Sequence, residues 1–175
     1  MDIVIVFLAK YLIWALFAGA IVLIGLEIYK TRNWRALGFI ILAVLTAVLF
    51  SQIFHLIPVE VYRPYQLIGT QPLIEPSMDS PFPSDHVTFA FVAAFAVVLM
   101  TKYKKIGLLV LLAAIGVLAG RLLALVHSPL DVVGGIICAG IGTIWYYVYY
   151  RGNFKKVPED IKKLVSRAKE QNSKL

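Results

Sequence analysis

Charge is scarce in this chain. Ten Asp and Glu and 17 Lys and Arg amount to 15% of 175 residues, against 60% hydrophobic residues and a mean hydropathy of +0.81. A soluble domain of this size cannot hide that much apolar surface, which excludes a soluble globule and leaves an integral membrane protein. Cysteine is nearly absent. Cys138 stands alone in an apolar stretch, so no internal disulfide can form and the residue suits small-residue packing. No internal repeat or low-complexity segment is present. The opening Met1-Asp2 carries no positive charge ahead of its apolar run, which argues against a cleaved signal peptide. One membrane domain over residues 1–157 and a basic tail over 158–175 are expected, the tail as an amphipathic surface helix or a plain solvated segment.

What the chain does have is long apolar runs. A bilayer core takes about 20 apolar residues per helix. Five segments qualify: Tyr11–Tyr29, Ala36–Leu56, Ser84–Met100, Ile106–Leu125 and Val132–Tyr150. Residues 1–9 are apolar but too short to cross, and read as an interfacial or partly inserted extension. The expectation is an all-α integral membrane helical bundle with about five transmembrane helices plus that N-terminal interfacial segment.

Net charge is +7, and its distribution sets orientation. Eight Lys and Arg lie between Arg151 and Leu175, three in Lys30–Arg35 and three in Lys102–Lys105. The connections 57–83 and 126–131 carry only Arg63. With five spans, the basic connections share one face, which the positive-inside rule makes cytoplasmic, so the tail is cytoplasmic and the other face extracytoplasmic. The membrane accounts for the basic residues without nucleic acid, and none is expected as a partner. The proline-rich connection 57–83 reads as an ordered loop over the helix ends.

Three polar islands interrupt the apolar runs on that outer face: Tyr62-Arg63-Pro64, Pro83-Ser84-Asp85-His86, and Arg121 through His127 to Asp131. Ionisable residues at a membrane boundary are costly and mark functional sites. A carboxylate four residues after a histidine can hold one ring nitrogen and leave the other as a lone pair, so His127 and Asp131 form a nucleophile and its orienter. Ser128-Pro129-Leu130-Asp131 is equally a plain helix start, with Ser at the N-cap and Asp at the third position. That second reading leaves Arg121 and His127 unexplained. Ser84 can cap the next helix, whose free amides make an anion site, and His86 in its first turn can donate a proton to a leaving oxygen. Arg63 and Arg121 can grip phosphate oxygens. Alone, Arg63 reads as an exposed loop cation; the conjunction of two arginines, two histidines, a serine and an aspartate on one face points to phosphate chemistry.

The order Arg-Pro, Pro-Ser-x-His, Arg-x5-His-x3-Asp resembles the three-part signature of the type 2 phosphatidic acid phosphatase superfamily, over roughly residues 55–140. The resemblance implies that His127 attacks phosphorus, Asp131 orients it and His86 protonates the leaving group. It implies phosphate binding by Arg63, Ser84 and Arg121, with Asp85 in the same substrate-binding turn, and no metal or other cofactor. Three positions depart from the family pattern. Leu56 stands where the family has lysine, Gly120 where the third part often has serine, and Asp85 where many members have glycine. His55, beside Leu56, reads as an interfacial side chain capping the second span. Phe-Pro-Ser-Asp-His with Arg63-Pro64 upstream is most similar to the bacterial undecaprenyl pyrophosphate phosphatases. That implies a lipid pyrophosphate substrate, cleaved at an extracytoplasmic site in a bacterial cell membrane.

Other readings stay open. The same chemistry could act on phosphatidate, phosphatidylglycerophosphate or a lipid A phosphate. A metal-dependent hydrolase could use His86, His127, Asp85 and Asp131 as ligands, although two arginines would repel the cation. A non-enzymatic lipid-phosphate transporter would keep both arginines but would have little use for a His127–Asp131 pair.

Overall fold

The computed structural model describes residues 2–57, 62–77 and 80–154. All regular structure among them is helical: α1 (Asp2–Thr31), α2 (Trp34–His55), α3 (Pro64–Ile68), α4 (Asp85–Met100), α5 (Lys104–Leu123), α6 (Pro129–Gly142) and α7 (Ile144–Phe154). Four stretches are long and apolar enough to cross a membrane: α1, α2, α5 and the α6–α7 pair.

Local signals set the joints. Arg32 takes a left-handed conformation (φ 54°) and donates its N–H to Ile28 O, closing α1, while the Asn33 side chain accepts from Ala36 N and opens α2. Two residues between helices force them antiparallel. Pro64 starts the single-turn-sized α3 and Gly69, at φ 71°, ends it. The bundle is built from α1, α2, α4, α5 and α6–α7, of which α4, at 16 residues, is the shorter apolar helix.

The N-terminal segment differs from expectation. Residues 2–11 are not a separate interfacial piece but the start of α1, joined through a π-helical turn at Phe7–Tyr11. The joint is fixed by packing: Ala9 is fully buried, and a Cβ at Gly120 of α5 would lie 2.5 Å from Ala9 N. The 30-residue α1 is about 45 Å long. The last span also differs. It begins at Pro129 and breaks at Thr143, where Thr143 Oγ1 donates to Gly140 O and a new helix starts.

α4 is the core. Its sequence has no polar stripe beyond the first turn, as a helix buried on all sides requires. Val87, Ala90, Ala94 and Val97 are fully enclosed, and α4 packs on α1, α2, α5 and α6. At 16 residues it is short, because neighbouring helices rather than lipid surround it. The lipid-facing shell is made of residues such as Ile21, Leu45, Leu109 and Ile137. Tail residues 155–175 lie outside the described residues.

Helix contact depends on small residues, as it does where lipid tails compete equally for apolar surface. At Gly142 an added Cβ would meet Ala43 O of α2 at 2.4 Å, whereas at Gly140 nothing lies within 4 Å. Gly142→Ala should therefore cost about 1–3 kcal/mol through overpacking. Gly140→Ala should be neutral or gain up to about 1 kcal/mol of helix preference. Thermal unfolding of the two variants in detergent should show shifts of different size, and equal shifts would refute the contact.

Candidate active site

The three polar islands meet at one end of the bundle. Gly134 and Gly135 in α6 make this possible. A Cβ at Gly134 would lie 2.5 Å from the Phe82 ring, and one at Gly135 would lie 2.7 Å from Ser84 O. The bare backbone of α6 thus rests on the turn that opens α4, and Ser84 N donates to Asp131 O at 2.9 Å. The basic loops gather at the opposite end, where Lys30 Nζ reaches Tyr103 OH at 3.5 Å and Asn33 reaches Tyr149 OH.

His127 occupies the turn between α5 and α6. Leu125 in that turn is left-handed (φ 59°), a conformation that strains a side-chain-bearing residue by roughly 1–2 kcal/mol. Tyr65 N donates to Leu125 O at 3.1 Å and Arg63 Nη1 to Val126 O at 2.9 Å, so the 62–77 segment holds the turn from above. His127 is 4% exposed. Its Nδ1 lies 3.0 Å from Pro81 O, and a carbonyl can only accept, so Nδ1 carries the proton. Its Nε2 lies 3.0 Å from Arg121 Nη2, a donor, so Nε2 holds the lone pair. Asp131 Oδ2 is 3.6 Å from Nδ1, an ion-pair distance rather than a hydrogen bond. The same oxygen accepts from Ser128 N at 2.6 Å, and Ser128 Oγ accepts from Asp131 N at 3.3 Å. The capping box and the histidine neighbour are thus one structure: Asp131 serves both readings the sequence allows.

Burial pushes the His127 pKa below its ordinary 6.5, and the positive charges of Arg121 and Arg63 push the same way, while Asp131 pulls upward. A neutral imidazole results at neutral pH. Arg121 Nη1 also reaches Ala9 O at 3.4 Å, so the π-helical turn of α1 borders the site. His86 lies within electrostatic reach of Arg121, His127 and Asp85. Three buried polar atoms here have no partner among the described residues: Ser84 Oγ, Arg121 Nε and Asp131 Oδ1. Ser84 occupies the N-cap position of α4, but its hydroxyl makes no capping bond, contrary to expectation. Arg63 is 5% exposed rather than a surface cation, and its Nη2 donates to Ser77 O at 2.9 Å. Two guanidinium groups, an unpartnered serine hydroxyl and a neutral imidazole lone pair converging in a buried place suit an oxyanion ligand.

The PAP2 superfamily pattern matches residues 36–155, more than half of the chain and all three islands. The chain belongs to the PAP2 superfamily. Bacitracin transport permease protein BcrC of Bacillus licheniformis is 32% identical over 148 residues, which cover 82% of this chain and 69% of that protein. No solved structure matches the chain significantly. PAP2 membership and the helical membrane bundle make the protein a multi-pass membrane phosphatase.

Two features of this PAP2 site have no signature in the sequence. The Asp85 carboxylate turns toward α2, where its Oδ1 accepts from Ser51 Oγ at 2.6 Å and lies 3.3 Å from His55 Nε2. His55 is therefore not an interfacial cap but a partner of the first turn of α4, and Leu56 beside it is 82% exposed. Asp85 is positioned by α2, with its carboxylate bonded to Ser51 and beside His55. Pro81, whose carbonyl fixes the His127 tautomer, was equally invisible, since a main-chain acceptor has no residue signature. Asp85→Leu should lower stability by about 1–2 kcal/mol through the stranded Ser51 and His55 groups. Asp85→Asn, which keeps an acceptor oxygen, should recover part of that, as read from unfolding in detergent; identical losses would refute the contact.

Proposed function

We propose that this PAP2 protein hydrolyses a lipid diphosphate, undecaprenyl pyrophosphate, to the lipid monophosphate and phosphate through a phosphohistidine at His127. The observation that carries the mechanism is the fixed tautomer, with Nδ1–H on Pro81 O and the Nε2 lone pair turned to Arg121. In the first step Nε2 attacks the terminal phosphorus. The N–P bond forms as the P–O bond to the lipid phosphate breaks, and His86 protonates the departing oxygen. Arg121 transfers its donor from Nε2 to a phosphoryl oxygen, with Arg63 and Ser84 Oγ adding to the positive field around it. Asp131 and Pro81 O support the imidazolium that develops at Nδ1. In the second step a water molecule attacks phosphorus, loses its proton to His86 and frees His127 and phosphate.

The undecaprenyl substrate draws support from the Phe82–His86 segment, and the extracytoplasmic placement from the basic loops at the opposite end. A second reading comes from the name of the Bacillus licheniformis relative, a transport permease protein. Binding and passage of a lipid phosphate would use Arg63 and Arg121 but would not need a tautomer-fixed nucleophile.

Purified protein in detergent with EDTA should release phosphate from undecaprenyl pyrophosphate faster than from phosphatidate. His127→Ala should reduce release by at least about 10³-fold. Release from neither substrate, with lipid-phosphate binding intact, would favour the transport reading; preference for phosphatidate would keep the chemistry and change the substrate. His86→Ala should cost roughly 10²-fold on the lipid and less on an activated aryl phosphate, whose leaving group needs no proton. Equal losses would remove His86 as the acid.

The pH dependence has a definite sign. A His127 pKa held below 6.5 keeps the nucleophile neutral as pH falls through 6.5, so the acid limb of kcat/KM should lie below that value. Asp131→Asn removes an upward influence and should move the limb further into acid, besides lowering the rate. A limb that moves to higher pH would contradict this assignment.

A further inference from the structure

A groove of about 270 Å³ runs between α1 and α4 and ends at the candidate site. Ile13, Trp14 and Phe17 of α1 and Phe89 of α4 line it, with Asp85 and His86 at its inner end. Residues 13, 14 and 17 share a face of α1, and 85, 86 and 89 share a face of α4, as helical spacing requires. The rings form one wall: Trp14 and Phe17 meet edge to face at 6.5 Å, and Phe17 and Phe89 at 6.2 Å. Trp14 is 68% exposed on the membrane-facing side, so the groove opens toward lipid.

We infer that this groove holds the hydrocarbon chain of the lipid diphosphate during cleavage, an assignment that rests on the reading of His86 and His127 given above. The argument is one of connectivity. The oxygen that leaves phosphorus must lie beside the proton donor, and the rest of the leaving group, its chain included, continues from there. His86 lines the groove and lies within electrostatic reach of Arg121 and His127. A phosphoryl group at Nε2 therefore directs its leaving group into the α1–α4 groove. The Asp85 carboxylate at the inner end is held away by Ser51 and His55, so the wall meeting the chain is aromatic and aliphatic. Lipid tails are as apolar as the groove itself, so the groove contributes position and access more than affinity. Obstruction should accordingly matter more than truncation.

A larger groove of about 400 Å³ provides the control. It lies toward the basic end, lined by residues including Ile21, Gly25 and Trp34, and no candidate site residue borders it.

The test places a removable plug. Phe17→Cys is labelled with a pyrenyl methanethiosulfonate and assayed with undecaprenyl pyrophosphate, with phosphatidate and with p-nitrophenyl phosphate. The native Cys138 is fully buried, and labelled wild type controls for it. The label should lower lipid turnover at least tenfold and leave aryl phosphate turnover within twofold, and dithiothreitol should restore the lipid activity. Gly25→Cys, labelled in the same way, should retain both activities. Unchanged lipid turnover, equal loss on both substrates, or equal inhibition from Gly25→Cys would overturn the groove assignment alone. A loss confined to phosphatidate would overturn the polyprenyl chain as occupant in favour of an acyl chain. No lipid turnover by unlabelled wild type would instead sink the phosphatase reading beneath it.

Discussion

Backbone contact between α6 and the turn before α4 is the constraint on which the rest of the site depends. Gly134 and Gly135 have no side chains to keep the Phe82-Pro83-Ser84 turn away, and Ser84 N can therefore bond directly to Asp131 O. Two segments more than 40 residues apart are thereby locked at hydrogen-bonding distance. Pro81 O comes within reach of His127, and His86 is carried toward Arg121. In a membrane, where apolar burial offers no preference for helix against helix, such small-residue contact is what makes one arrangement better than its neighbours.

The second constraint is electrostatic. Two arginines buried at the end of a helical bundle are costly unless their donors are met. Here main-chain carbonyls meet several of them: Val126 O and Ser77 O for Arg63, and Ala9 O for Arg121. The Asp85 carboxylate, by contrast, is directed to Ser51 and His55 on the far side of the turn.

Much of this was legible in the residues, and the reasons divide cleanly. The spans were legible because each apolar run is bounded by charge or proline, and the islands because polar side chains are conspicuous against lipid-soluble sequence. Arg63, Ser84, His86, Arg121, His127 and Asp131 do converge. The continuity of residues 2–31 was not legible: Lys10 interrupts the hydropathy, while the buried contact of Ala9 with Gly120 that fixes the helix is a tertiary fact. The break at Thr143 was hidden by uniformly apolar neighbours. The Ser51–Asp85–His55 contact joins Asp85 to residues 34 and 30 positions away, whose types suggest nothing in isolation. Ser84 obeys the positional rule for a helix cap without making the bond, because its hydroxyl is enclosed where no amide can reach it.

The family match begins at residue 36, after α1 has ended. Every island residue falls inside that stretch, yet Ala9, Ile13, Trp14 and Phe17, which border the site and form one side of the groove, fall before it. Under the proposed groove assignment, lipid contact draws on α1 as well as on the stretch that carries the islands. The rings of a first helix can change without altering any group that would touch phosphorus, whereas its π-helical turn meets Arg121 through Ala9 O. Under the same assignment, a change of rings in α1 would alter lipid contact while the island residues stay fixed, as a tool holder accepts different guides for the same blade.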